Sequence, residues 1–228
     1  MNIMKKKNVL WVIATSVLMV SSSGIFGQNA NEIMKQVDTR TVPKDTKTFM
    51  KMNLIDAKNQ VRQRDLKTYM LSDEKMMMWF LSPADVKGSS FLRVSHDDKD
   101  DDMWIYLPAL GKVRRIASSA TNGSFMGSDF SFEDMGERKL QDYSYKLLKE
   151  ETVAGKSCWV IECIPVTGVS TDYSKIISWV WKDEYIQIRE ELYNKKAILK
   201  KVKTSEYTKI KTYWVPKRFL MEDISAIH

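Results

Sequence analysis

Few side chains in this 228-residue sequence are placed to do covalent chemistry. Only two histidines occur, His96 and His228, and no nucleophile-elbow, zinc-protease, P-loop or dinucleotide pattern is present. The run His96-Asp-Asp-Lys-Asp-Asp-Asp102 alternates Asp98, Asp100 and Asp102 as a calcium loop does. Met103, however, stands where such a loop needs glycine, and its terminal glutamate is missing. The run reads as a solvated hairpin tip. Glu133 and Asp134 supply two carboxylates, but adjacent residues point apart, so they are expected at the surface rather than in acid–base work. Cys158 and Cys163 are the two cysteines, and both fall in one strand-like stretch. Five residues of strand separate Cα atoms by about 16 Å, beyond the ~7 Å reach of a disulfide, so free, buried thiols are expected. These observations predict a protein that is not an enzyme and uses no cofactor or metal.

What the sequence does offer is apolar excess. Met76-Met-Met-Trp-Phe-Leu81, Met103-Trp-Ile-Tyr-Leu107 and Ile176-Ile-Ser-Trp-Val-Trp181 are apolar at consecutive positions, as strands covered on both faces are. If such a sheet curls, one face lines a cavity, and 14 Met with 7 Trp supply adaptable walls for apolar ligands. An ordinary filled core has the same composition. The cavity reading assigns Met76, Met78, Phe80, Trp104, Tyr106, Trp179 and Trp181 to the lining. The opposite register would place Met77, Trp79, Leu81, Met103 and Ile105 there.

The segment Ala117 to Lys139 mixes Gly, Ser and Asn with Phe125, Met126, Phe130, Phe132 and Met135. Irregular stretches of this length usually serve function, and this one reads as a lid. At its edge Arg114 and Arg115 are suited to a phosphate or a partner's carboxylate, or else simply face solvent.

The elements that must hold these residues are mostly strands. Residues 1–27 place Lys5, Lys6 and Lys7 before an apolar run from Val9 to Val20. That is the pattern of a secretory signal peptide, and the run is too short for the ~20 residues of a membrane span. No lipobox cysteine follows it. Cleavage there leaves one domain from residue 28 to residue 228 in an extracytoplasmic space. Removal of the three lysines lowers the formal charge from +7 to about +4, with signs interleaved along the chain, so nucleic acid is not an expected partner. Asn31 is placed to cap a short amphipathic helix carrying Ile33, Met34 and Val37, which Pro43 ends.

Strand patterns then follow at Thr48–Asp56, Val61–Leu71, Lys75–Leu81, Phe91–Ser95, Met103–Leu107 and Lys112–Ile116. After the lid they resume at Tyr143–Lys149, Ser157–Ile164, Ile176–Trp181, Tyr185–Tyr193, Ala197–Val202, Tyr207–Trp214 and Arg218–Ile224. This spacing predicts a single antiparallel sheet curling toward a barrel.

Two blocks of sequence carry a resemblance: Asp102-Met-Trp-Ile-Tyr-Leu-Pro-Ala-Leu-Gly-Lys-Val-Arg-Arg-Ile116, and Gly127-Ser-Asp-Phe-Ser-Phe-Glu-Asp-Met135. With Gly155-Lys-Ser-Cys-Trp-Val-Ile-Glu162 and Val215-Pro-Lys-Arg218, they resemble the LolA-like family of outer membrane lipoprotein-sorting proteins over most of residues 48–224. The resemblance implies a mainly β fold, an incomplete antiparallel β-barrel with an N-terminal helix and a helical or loop lid over an apolar cavity. It further implies a periplasmic carrier of lipoprotein acyl chains or lipids, with transient membrane contact, an inner-membrane exporter and an outer-membrane acceptor. Members of the family tend to continue into a further short segment beyond the equivalent of His228. The alternative is an accessory, scaffold or sensor subunit of an inner-membrane lipid exporter that carries no cargo.

Overall fold

The structure, a computed structural model, describes residues 29–226. The signal peptide expected at residues 1–27 and the terminal His228 lie outside the described residues. Helix α1 (Ala30–Asp38) opens the fold. Its cap is Asn29 rather than Asn31: the Asn29 side chain accepts a hydrogen bond from the Asn31 backbone N–H, satisfying one of the donors a helix start leaves unpaired. Ile33 and Met34 are buried and Val37 packs beside them, the one-sided stripe of an amphipathic helix.

Twelve strands form two six-stranded antiparallel sheets, each a plain meander. The first holds β1 (Asp45–Ile55), β2 (Val61–Leu71), β3 (Lys75–Ser82), β4 (Ser90–Val94), β5 (Asp102–Leu107) and β6 (Lys112–Ile116). The second holds β7 (Tyr143–Val153), β8 (Lys156–Pro165), β9 (Tyr173–Trp181), β10 (Ile186–Asn194), β11 (Leu199–Ile210) and β12 (Tyr213–Asp223). No ladder joins β6 to β7, so the expected single sheet is split at the lid segment and the barrel is open.

The three strands expected between Ala197 and Ile224 are two long ones. The turn lies at Lys211 and Thr212, where Lys211 takes a left-handed conformation (φ 54°). Between β7 and β8 the two-residue turn Ala154-Gly155 has positive φ at each position (49° and 75°). That turn matches the twist of the strands it joins, and glycine is the residue that adopts it without strain.

Alternation of side chains gives the first sheet one well-covered face and the second sheet a buried cluster on each face. In the first sheet, Leu66, Met78, Phe80, Phe91 and Met103 are buried together under Phe125 of the lid. In the second, Trp159, Ile161, Cys163, Ile176, Val180 and Leu192 are buried against Ala30, Ile33 and Met34 of α1. Phe130 packs against each of these clusters. A third cluster, built on Cys158, Val160, Ile177 and Trp179, lies across the second sheet from α1, because residues one apart on a strand point to opposite faces. The two cysteines are free and buried, on opposite faces of β8.

Candidate functional site

The covered face of the first sheet is apolar because β2 to β5 direct methionine and phenylalanine to the same side. Ladder pairs Met78↔Phe91 and Phe91↔Ile105 align the rows. Over this face lie residues 117–135, held in short 3-10 turns at Ser118–Ala120 and Glu133–Met135 and a miniature bridge between Ser124 and Ser131; the chain then crosses to the second sheet, where Leu140 of the turn Leu140–Asp142 packs. The lid turns sharply at Met126 and Gly127, which have φ of 54° and 73°. The turn lets Phe125 fold under the segment to 1% exposure. Its ring meets Phe91 edge-on with centroids 5.1 Å apart and Phe132 at 5.6 Å. Aromatic contacts of this type add to plain burial.

Polar anchors pin the lid at both sides. Arg64 of β2 donates to the Met126 carbonyl, and the Asp223 N–H of β12 donates to Asp129. Deeper, Arg138 of the lid donates to Glu190 of β10, which also accepts from Lys203 at 2.9 Å. Burial by itself would push the Glu190 carboxyl up, but Arg138 and Lys203 outweigh it and hold the group at about 2. Beside this pair, Asp134 accepts from the Tyr173 hydroxyl at 2.8 Å, the Ser131 N–H at 2.7 Å and Lys201 at 3.0 Å. Burial opposes ionisation of Asp134, yet Lys201 and the Ser131 N–H keep its pKa below the usual carboxylate range.

The expectation that Glu133 and Asp134 sit at the surface is therefore corrected. Both are fastened to the second sheet, Glu133 accepting from the Thr171 hydroxyl and the Asp172 N–H. Burial raises the Glu133 pKa despite those two donors. A sequence signal for this role existed only in hindsight of the topology: the partners of Glu133, Asp134 and Arg138 come from three separate stretches of chain, at residues 171–173, at Glu190 and at Lys201. The acidic run before β5 is also more engaged than a bare hairpin tip. Asp102 faces Arg115, Lys99 and His96, and the hydrogen bonds from Arg115, then Lys99 and His96, lower its pKa.

The sequence-derived lining residues divide. Met76, Met78 and Phe80 face the lid with Phe125, Met126, Phe130, Phe132 and Met135. On β5 the residues on that same side are Met103 and Ile105, while Trp104 and Tyr106 face away, because Leu92↔Trp104 and Ser90↔Tyr106 are the pairs of the opposite face. Trp179 and Trp181 belong to the side of the second sheet away from α1, where Trp179 stacks under Arg189 at 5.2 Å. Arg114 and Arg115 also point to opposite faces of β6, their partners being Ile105 and Trp104.

Two hollows stand out among the described residues. A small, half-open one of about 80 Å³ lies between α1 and the second sheet, lined by Met34, Val37, Tyr143, Tyr145, Cys163 and Glu190 among others. It is far smaller than the ~300–1,000 Å³ of ligand pockets. A shallow groove of about 750 Å³ crosses β7 to β10 on the other face of that sheet. Its floor alternates Val160, Ile177 and Trp179 with Lys149, Lys175 and Arg189 and with Glu151, Glu162 and Glu191, so its charges balance. The lid-covered face of the first sheet is thus filled by the lid's own side chains, and a long apolar ligand enters only where those side chains leave.

Comparison with known proteins fits this architecture. A family model described only as that of an uncharacterized protein matches residues 72–228, and no curated protein matches the sequence. Among solved structures, a domain described as outer membrane lipoprotein-sorting from Vibrio parahaemolyticus is 33% identical, with a TM-score of 0.78 and 86% of each chain covered. A DUF1329 family protein from Desulfovibrio piger is 36% identical, with a TM-score of 0.78 and 85% of each chain covered. A LolA superfamily protein from Nitrosomonas europaea shares the fold at 18% identity, with a TM-score of 0.67 and 86% of each chain covered. The open two-sheet β architecture, the helix and lid on its apolar faces and these relatives agree: the fold is that of the LolA superfamily protein, and the chain belongs to the family of the outer membrane lipoprotein-sorting domain and the DUF1329 protein.

Proposed function

We propose that this protein is a periplasmic carrier that takes acyl chains of lipoproteins or lipids onto the covered face of its first sheet and moves them toward the outer membrane. The observation that carries the reading is the nature of the cover. Met76, Met78 and Phe80 are closed over by an irregular segment whose Phe125 and Phe132 plug the face, not by a helix or a second sheet. An apolar plug on a hinged loop is exchangeable for an apolar ligand of similar area. Each buried methylene contributes about 0.8 kcal/mol, so one long acyl chain gains on the order of 10 kcal/mol before entropy costs, enough to displace two phenyl rings. Release then requires the lid to return, or handover to an acceptor, with an inner-membrane exporter supplying cargo at the other end. The basic and apolar pattern of residues 5–20 supports export to the periplasm. Arg114, on the lid-covered face of β6, and Arg115, on its other face beside Asp102, are assigned to a headgroup phosphate or a partner carboxylate.

The test is to express the full chain with its own N-terminal segment, purify the exported protein without detergent, and compare native with denaturing mass spectra. A co-purifying lipid or lipopeptide, lost in Met78→Asp protein that still folds, supports the carrier and identifies its cargo. A second reading, a cargo-free accessory or sensor subunit of a lipid exporter, is favoured by the complete filling of the lid-covered face. It predicts a protein that purifies empty and takes up no fluorescent acyl probe.

A further inference from the structure

The solvent face of the first sheet is covered by nothing among the described residues, yet it is not a polar face. The ladders place Phe49, Lys67, Trp79, Ser90, Tyr106 and Val113 in one row across all six strands. The neighbouring row adds Lys47, Tyr69, Trp104 and Arg115, with Met77 and Leu92 between them. Phe49 is 66% exposed and Val113 64%. Lys47 lies over the rings of Phe49 and Tyr69 at 5.4 and 5.7 Å, and Lys67 over Tyr69 and Trp79 at 5.4 and 5.1 Å. Neither row contains a carboxylate. Asp102 at one margin is taken up by Arg115, and the flanking rows carry Asp45 and Asp65 together with Lys75 and Lys51, so the net charge of the two central rows is that of Lys47 and Lys67.

We infer that this face is a docking surface for an anionic lipid bilayer. Tryptophan and tyrosine settle at the headgroup level of a membrane because each ring has an apolar body and a polar tip. Lysines stretched over those rings can bury their stems while the ammonium groups reach outward to phosphate. A surface of one sign with aromatics matches an anionic bilayer. A second copy of the chain fits less well, since a two-fold contact through this patch would set one lysine-bearing surface against another of the same sign. The groove across β7 to β10 has aromatics too, but its cations and carboxylates are equal in number and give no such field. Docking through this face leaves the lid, on the opposite side of the same sheet, unobstructed.

The inference does not rest on the carrier reading, because docking is measured on vesicles without cargo. Purified protein is floated with vesicles of three parts phosphatidylethanolamine to one part phosphatidylglycerol, and with phosphatidylcholine vesicles, at low and at 0.5 M salt. The expected result is binding to the anionic vesicles only, weakened by salt, and reduced at least about tenfold in Lys47→Glu with Lys67→Glu protein. The charge-matched control Lys195→Glu with Lys196→Glu, in the exposed β10–β11 turn, is expected to bind as the unaltered protein does. Phe49→Ser, which removes no charge, weakens binding as well, and circular dichroism melts verify that each variant folds. Absence of flotation, equal binding of the Lys47/Lys67 variant and the control, or dimerisation through this face would each overturn the proposal. A protein that fails to dock yet retains a co-purifying lipid keeps the carrier reading intact.

Discussion

Glu190 is the residue on which the closure of the lid turns. Its carboxylate is shared by Arg138 of the lid and Lys203 of β11 and is nearly inaccessible, so removal of its charge strands two cations against the sheet. Glu190→Gln is expected to cost about 3–5 kcal/mol near pH 7. The pH dependence follows from the direction of the shift. The folded carboxyl titrates at about 2 against an ordinary 4.5, so its stabilising contribution is complete above about pH 5 and disappears as the pH falls toward 2. Urea melts of the two proteins should therefore differ most at pH 6 to 7 and converge as the pH is lowered toward 3. A gap that does not narrow would show that the charge of Glu190 is not what matters. The cysteines give a second test at this scale. Burial pushes the Cys163 thiol up to about 12, with the Glu190 charge adding to it, and burial raises Cys158 as well. Alkylating reagents should leave both thiols unmodified in the native protein at pH 8 and label two sites after unfolding, as read by mass shift.

At the scale of elements, the contrast is between ladders and lid. The strands of each sheet are held by long backbone ladders, β1 with β2 over eleven residue pairs and β7 with β8 over ten with one bulge between Leu147 and Lys149. The lid has a single isolated bridge and depends on Phe125, Phe132 and a few polar anchors. Segments of this type open locally without global unfolding. Phe125→Ala removes about 3 kcal/mol or more of burial from the closed lid. Hydrogen exchange in residues 117–135 is expected to accelerate roughly 100-fold, while the β7–β8 amides keep their protection. Uptake of a fluorescent acyl probe should become faster in the same variant. Equal acceleration throughout both sheets would mean that the lid and the sheets unfold as one unit and that no separate opening exists. The arginine pair can be examined in the same framework: Arg114→Ala with Arg115→Ala is expected to slow transfer of probe from protein to acceptor vesicles while leaving the melting curve close to that of the unaltered protein. Unchanged transfer would remove these residues from the mechanism.

For the whole molecule, two binding events are separable by salt. Uptake of an acyl chain under the lid is driven by apolar burial and should persist, or strengthen, at 0.5 M salt, whereas docking through Lys47 and Lys67 is screened. One titration series with vesicles and acyl probe reads both.

The sequence by itself determined the class of structure and most of its elements. Apolar runs bounded by Asp, Gly, Ser and Pro marked nearly every strand, and aromatic residues scattered through a polar, glycine-containing stretch marked the lid. It also determined the fate of the cysteines, since five residues along a strand is a distance no disulfide spans. It did not determine which face each apolar residue joins. Strands such as Met76–Leu81 and Met103–Leu107 are apolar at every position, so alternation is silent, and the turn between β3 and β4 and the β4 register decide that Met78 and Phe80 lie with Met103 and Ile105 rather than with Trp104 and Tyr106. Nor did it determine that Glu133 is half-buried and the Asp134 side chain nearly inaccessible, because a carboxylate is admitted to the interior only by partners that distant segments bring to it. Tertiary structure decided these points for one physical reason: burial and pairing are properties of neighbours in space, and ladder register, not residue type, selects those neighbours.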